Sequence, residues 1–189
     1  MKVLGISGTP RVNGNSDILL QHALKPFESA AWEIKLLRLS KLKVNPCDGC
    51  ETCKGTGKCA IQDDMQLFYD AIEWCDAIII SSPVYSRYIA SPLMCVLDRT
   101  YAISTRRPLE GKVGGAIAVG RGTSGGQTIT LMAIYNFMLS CGIICVPGEM
   151  NGVTAVASEP GDILKQENRL HQAKILGENI LKTTLKLRQ

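Results

Sequence analysis

The stretch Ala77 to Ser81, A-I-I-I-S, is apolar at successive positions rather than at alternate ones. A strand formed there must be buried on both faces, which demands cover above and below it. The rest of the chain repeats the theme. Lys2 to Ser7 is a first buried run, Glu33 to Leu39 alternates as a second strand, and Val113 to Val119 and Ile143 to Val146 follow as a fourth and a fifth. Stretches with helical spacing lie between them, and strands alternating with helices predict a parallel sheet covered on both faces.

The helical stretches carry their own punctuation. Asn15 or Ser16 caps a helix through Asp17, Leu19, Leu20 and Leu24, which Pro26 should end or kink early. Asp63 and Gln66 form a capping box for a helix through Met65, Leu67, Phe68 and Ile72. Ser91-Pro92 opens a helix reaching about Ile103, Thr128 to Cys141 is another, and Asp162 to Leu187 is a last one packed along the sheet. Five strand–helix units in 189 residues predict an α/β, flavodoxin-like doubly wound fold with a five-stranded parallel sheet, in one domain spanning residues 1–189. One segment stands outside the pattern. Residues 40–62, inserted between the second strand and the following helix, show no periodicity, and a loop that long in a compact domain is normally functional or disordered.

Composition excludes several classes. The net charge is +4 with dispersed basic residues, and aromatics make up 5%, so neither a basic stripe nor a stacking surface for nucleic acid is present. The apolar runs are too short to span a bilayer. Met1 to Ser7 meets Gly, Pro and Arg at once and reads as a first strand rather than a signal peptide, which predicts a cytoplasmic protein. In a reducing compartment eight cysteines do not predict a disulfide framework. Four of them, Cys47, Cys50, Cys53 and Cys59, fall in the run N-P-C-D-G-C-E-T-C-K-G-T-G-K-C inside the aperiodic segment, and metal binding is the leading explanation. Cys75, Cys95, Cys141 and Cys145 lie in apolar patterns and read as small buried hydrophobes.

Three thiols at x2 spacing can supply three corners of a cubane, and the x5 segment with Gly55 and Gly57 can swing the fourth around. Lys54 and Lys58 can offset the charge of an anionic cluster. Zinc suits four thiolates as well, although structural zinc sites more often pair two C-x2-C knuckles over a longer spacer.

In open α/β sheets ligands bind beyond the carboxyl ends of the strands, and three loops there are informative. Ser7-Gly8-Thr9-Pro10-Arg11-Val12-Asn13-Gly14-Asn15-Ser16 leads into a helix N-terminus with hydroxyls and small residues, which suits a phosphate. It is neither a Walker loop nor a G-x-G-x-x-G fingerprint. Ser82-Pro83-Val84-Tyr85-Ser86-Arg87-Tyr88 offers backbone groups and an aromatic to the edge of a planar heterocycle. Gly120-Arg121-Gly122-Thr123-Ser124-Gly125-Gly126-Gln127 has four glycines in eight residues, as close approach of backbone to a ligand requires. Each has a plain alternative as an ordinary turn; together they suit a mononucleotide such as FMN.

These loops with Pro46-Cys47-x2-Cys50-x2-Cys53-x5-Cys59, Asp63-Asp64-Met65 and Leu97-Asp98-Arg99 make the chain, to about residue 150, resemble the iron–sulfur flavoproteins of the NADPH-dependent FMN reductase family. The resemblance implies FMN and one 4Fe-4S cluster per subunit, in homodimers or homotetramers. Cys47, Cys50, Cys53 and Cys59 would then be the cluster ligands. Ser7, Thr9, Arg11, Asn13, Gly14, Asn15 and Ser16 would hold the phosphate. Pro83, Val84, Tyr85, Ser86, Gly120, Gly122, Thr123, Ser124, Gly125, Gly126 and Gln127 would line the flavin, with Tyr85 and Arg87 as candidates to act beside it. The implied activity is that of an oxidoreductase passing electrons between a ferredoxin-like one-electron donor and a small-molecule acceptor such as a quinone, oxygen or peroxide. Two alternatives remain on the residues alone: an NAD(P)H-dependent FMN or quinone reductase with zinc or free thiols, and a non-catalytic flavin- or metal-binding module. His22 and His171 read as surface or structural residues.

Overall fold

A computed structural model describes residues 1–123 and 125–189. The first strand, β1 (Lys2–Ser7), lies between β2 (Glu33–Arg38) and β3 (Ala77–Tyr85), parallel to both. Next to β3 runs β5 (Val113–Gly120), and the fifth position is shared end to end by β6 (Ile144–Cys145) and β7 (Val153–Val156), both parallel to β5. A short strand β4 (Tyr88–Ile89) folds back antiparallel on the end of β3. Counted by position, the order is the doubly wound 2-1-3-4-5 of a flavodoxin-like sheet.

Alternation along each strand divides the core in two. Leu4, Ile6, Ile78, Ile80, Ala116 and Ala118 face α3 (Met65–Trp74), α4 (Ser91–Arg99) and α5 (Gly126–Ser140). Val3, Ala77, Ile79, Val113, Ile117 and Val119 face α1 (Asn15–Ser29) and α6 (Glu167–Leu187). The two helices of the second layer touch at Gly177, where a Cβ would come within 2.0 Å of the Ala23 carbonyl oxygen, so only glycine permits that spacing. The remaining helical turn, α2 (Cys53–Thr56), belongs to the cysteine loop.

Several expectations need correction. Pro26 neither ends nor visibly shortens α1, which continues to Ser29, because the proline packs at the Gly177 crossing and tertiary burial holds the last turn. The cap of α1 is Gly14 rather than Asn15 or Ser16. The Asp63–Gln66 capping box is not made: Asp63 is committed to Arg99, and Gln66 Nε2 donates instead to Asp70 Oδ1 at 2.7 Å. The third strand runs on through Pro83 to Tyr85, since Ser82 and Pro83 still pair with Ala118 and Val119. The last helical stretch is broken at Gln166 into a 3-10 turn (Asp162–Lys165) and α6, and β7, four residues long, has no counterpart in the expected elements. The helix from Ser91 ends at Arg99 and continues as a 3-10 turn to Arg106. No helix among the described residues is long and apolar enough to cross a membrane.

Candidate functional site

The carboxyl ends of β1, β3, β5 and β7 open into one cleft of about 480 Å³. Thr9, Arg11, Gly14, Asn15 and Ser16 line it from the first loop, Pro83, Val84, Tyr85 and Ser86 from the second, Val119 and Arg121 from the third. A fourth wall, Ala157, Ser158 and Pro160, follows β7 and was not expected from the sequence. Its signal was present but short: V-T-A-V between Gly152 and the turn residues Ser158, Pro160 and Gly161 reads as a four-residue strand and a loop.

The first loop is pressed tightly onto the sheet, where the Gly8 amide donates to Ser81 O at 2.8 Å. Ser7 and Ser16 are buried, and both hydroxyl oxygens lack a hydrogen-bond partner among the described residues. Buried hydroxyls are normally satisfied, and the first turn of α1 also leaves amide N–H groups without helical acceptors. This pair of orphaned oxygens beside a helix N-terminus fits a bound phosphate. Thr9 is buried with its hydroxyl accepting from the Arg11 amide at 3.1 Å, and Asn13 is exposed at φ 55°. Asn15 lines the cleft and also tethers it: its side-chain Nδ2 donates to Glu159 O at 2.9 Å and its Oδ1 accepts from the Ile163 amide at 3.3 Å, fastening the fourth wall to the first loop. Across the same wall Ser158 Oγ donates to Arg121 O at 3.1 Å.

The second loop is a two-residue hairpin turn. Ser86 (φ 49°) and Arg87 (φ 64°) both take the left-handed conformation that such a turn requires, without glycine to ease it. The turn holds the exposed Tyr85 at the cleft, while Arg87 is not among the lining residues. Gly126 makes this possible, because a Cβ there would come within 2.4 Å of Val84 and 2.9 Å of the Arg87 Cα. In the third loop Gly120 ends β5 and Gly126 and Gln127 begin α5. Gln127 Nε2 donates to Gly122 O at 2.7 Å, closing the loop on itself; Gly122, Thr123 and Gly125 are exposed, and Ser124 lies outside the described residues. Among the described residues from Gly120 to Gln127, Arg121 is the one that lines the cleft directly.

The cysteine loop is built differently. Cys47 and Cys50 are exposed, Cys53 and Cys59 half-buried against the core. At its neck sits Arg99, the last residue of α4, with a side chain 1% exposed. Arg99 Nη1 donates to Asn45 O at 3.1 Å and to Asp63 Oδ2 at 2.6 Å; Nη2 donates to Ile61 O at 3.1 Å and to Cys59 Sγ at 3.3 Å. Asp63 also accepts from the amides of Asn45 and Met65. Burial alone would raise the Asp63 carboxyl, but these bonds outweigh it and hold the group down at about 2. Burial, with Cys59 second, pushes the Tyr69 hydroxyl up to about 12, so it stays a donor to Arg99 O at 2.8 Å. By the chemistry of the donor set, four thiols on one loop with a guanidinium at the fourth, the segment fits an iron–sulfur cluster. Among the described residues no three Cys, His, Asp or Glu side chains form a group that could hold a metal ion. A hollow of about 510 Å³ lies beside the loop, with Cys59, Ile61 and Tyr69 in its wall.

The scattered cysteines follow expectation in part: Cys75 is buried with its thiol pushed up to about 11 by burial, whereas Cys95, Cys141 and Cys145 are half-buried.

Comparison with known proteins agrees with this architecture. The profile of the NADPH-dependent FMN reductase family matches residues 1–156. An iron-sulfur flavoprotein of Methanocaldococcus jannaschii is 38% identical over 184 residues, 95% of each chain, and one of Archaeoglobus fulgidus is 34% identical over 180 residues, 95% of this chain and 79% of that one. Among solved structures, a flavodoxin from the domain Archaea aligns with a TM-score of 0.64 at 18% identity over 97% of this chain and 99% of its own, which supports the fold. The chain thus belongs to the NADPH-dependent FMN reductase family, among its iron–sulfur flavoproteins, and is a flavin-dependent electron-transfer oxidoreductase.

Proposed function

We propose that this protein, working in the cytoplasm, relays electrons between a ferredoxin-like one-electron donor and a small-molecule acceptor such as a quinone, oxygen or peroxide. In this reading it does so with FMN in the four-walled cleft and a 4Fe-4S cluster on Cys47, Cys50, Cys53 and Cys59. The observation that carries it is the coexistence on one chain of two unlike sites: a cleft lined by Ser16, whose buried hydroxyl is unpartnered like that of Ser7 at the start of the same loop, and a four-thiol loop fastened by a buried guanidinium. FMN handles electrons in pairs and a cluster handles them singly, so one chain that holds both can join one-electron to two-electron chemistry.

The residues would contribute position and electrostatics. Ser7, Ser16 and the first-turn amides of α1 hold the phosphate, with Arg11 above it. Pro83 to Ser86 offer a rigid backbone edge to the isoalloxazine, and Tyr85 stands where an acceptor would approach. Gly120 to Gln127 shape the third wall from behind through the Gln127–Gly122 bond. Homodimers or homotetramers would bring one subunit's cysteine loop toward another's cleft.

The match of residues 1–156 to the NADPH-dependent FMN reductase family supports a second reading, an NAD(P)H-dependent FMN or quinone reductase without a cluster. Anaerobic absorption spectra during stepwise dithionite reduction separate the two. The relay predicts flavin bands on a broad visible shoulder that bleaches on reduction. Flavin bands without the shoulder, with rapid NADPH oxidation, would establish the cluster-free reductase instead.

A further inference from the structure

The cysteine loop has no strand and one helical turn of four residues, so its thiols take their positions from whatever ties the loop to the sheet. Lys54 is engaged by Glu51 at 2.6 Å on the surface and Lys58 is exposed, so neither is a fixed partner for sulfur. Arg99 is fixed. It stands on α4, whose Leu93, Val96 and Leu97 are buried against the sheet, and its guanidinium grips Asn45 just before the first cysteine, Ile61 just after the last, and the Cys59 sulfur between them. Asp63 balances the charge and is itself held by two backbone amides.

We infer that Arg99 is the positioning residue of the cluster site: it presets the Cys59 corner before the other three thiols close and keeps one buried positive charge on that sulfur. The inference rests on the electron-relay reading above. A fixed donor to a ligand sulfur tunes both retention of the metal and its potential. A positive charge there favours the more negative reduced cluster; the guanidinium meets Cys59 Sγ directly whereas Asp63 meets only its other nitrogen, so removing both charges together still lowers the potential.

The test uses wild type, Arg99→Lys, and the double variant Arg99→Gln with Asp63→Asn, which removes both buried charges together. Each metal-free protein is first digested with proteinase K. A separate, undigested sample of each is reconstituted anaerobically with ferrous iron and sulfide, assayed for iron per FMN, titrated for its potential, and exposed to air. In the double variant the metal-free loop 45–62 is cut faster, the cluster bleaches about 10-fold faster in air, and the potential falls while FMN content is kept. A potential and bleaching rate equal to wild type overturn the role of Arg99 and leave the relay standing. Where the double variant also loses FMN, Arg99→Lys decides: with the charge kept and the four-point grip lost, faster bleaching at a near-wild-type potential supports the inference, and wild-type bleaching overturns it. A wild-type protein that takes up no cluster overturns both the relay and this role.

Discussion

The cleft and the cysteine loop are candidate sites of opposite construction. The cleft is made of strand ends: its walls are the places where β1, β3, β5 and β7 leave one sheet, so hydrogen-bonded ladders fix its shape before any ligand arrives. The loop is tied at its neck by Arg99 and Asp63, rests Cys53 and Cys59 against the core, and has no strand of its own. A sheet edge can present a preformed concave site, whereas a segment without regular structure must draw its geometry from a few tethers and from the metal itself.

This contrast can be broken in several ways. Replacing any one of Cys47, Cys50, Cys53 or Cys59 by Ser should abolish cluster incorporation while FMN binding persists; iron and flavin assayed on the same sample would show it, and loss of flavin with the iron would mean that the two sites are not independent. Asp63→Ala leaves the Arg99 guanidinium buried without its counter-ion and should cost about 3–5 kcal/mol in denaturant unfolding, because both side chains are 5% exposed or less. A cost below about 1 kcal/mol would put the pair in the class of surface bridges.

Acidification probes the same neck more gently. The folded Asp63 carboxyl sits at about 2 against its ordinary 3.8. A depressed carboxylate contributes stability above the unfolded value that is lost as pH falls through the folded one. About 2 kcal/mol should therefore disappear between about pH 4 and pH 2, and hydrogen exchange of the Asn45 and Met65 amides should rise over that window. In the cleft, Ser7→Ala and Ser16→Ala should each weaken FMN binding by about 10-fold without destabilising the apoprotein, since each removes an unpartnered buried hydroxyl. Isothermal titration against FMN reads the first effect and thermal unfolding the second; a loss of apoprotein stability would mean that the hydroxyls are structural. Smallest is Lys54→Ala, whose exposed pair with Glu51 should contribute less than about 0.5 kcal/mol, with no change in cluster potential if Arg99 supplies the relevant charge.

The alternation of the main strands and helices, the parallel sheet and the two-faced burial of Ala77 to Ile80 were determined by the sequence alone, because hydrophobic periodicity is a local property that survives without knowledge of partners, whereas the short β4 and β7 were not. So were the four thiols as a unit and the three polar loops, which are contiguous in the chain. The tertiary structure decided what joins residues far apart. Only folding sets Asp17's neighbour Ser16 in a closed cleft with Ser158 and Pro160, turns Asn15 into a tether for residues 159–163, and carries α1 through Pro26 against Gly177. Above all it moves Arg99 onto Cys59, 40 positions away, and takes Asp63 from the expected helix cap into a buried ion pair. A buried charge acquires its meaning from what surrounds it in space, since desolvation and pairing act over a few ångströms while the sequence separation is arbitrary.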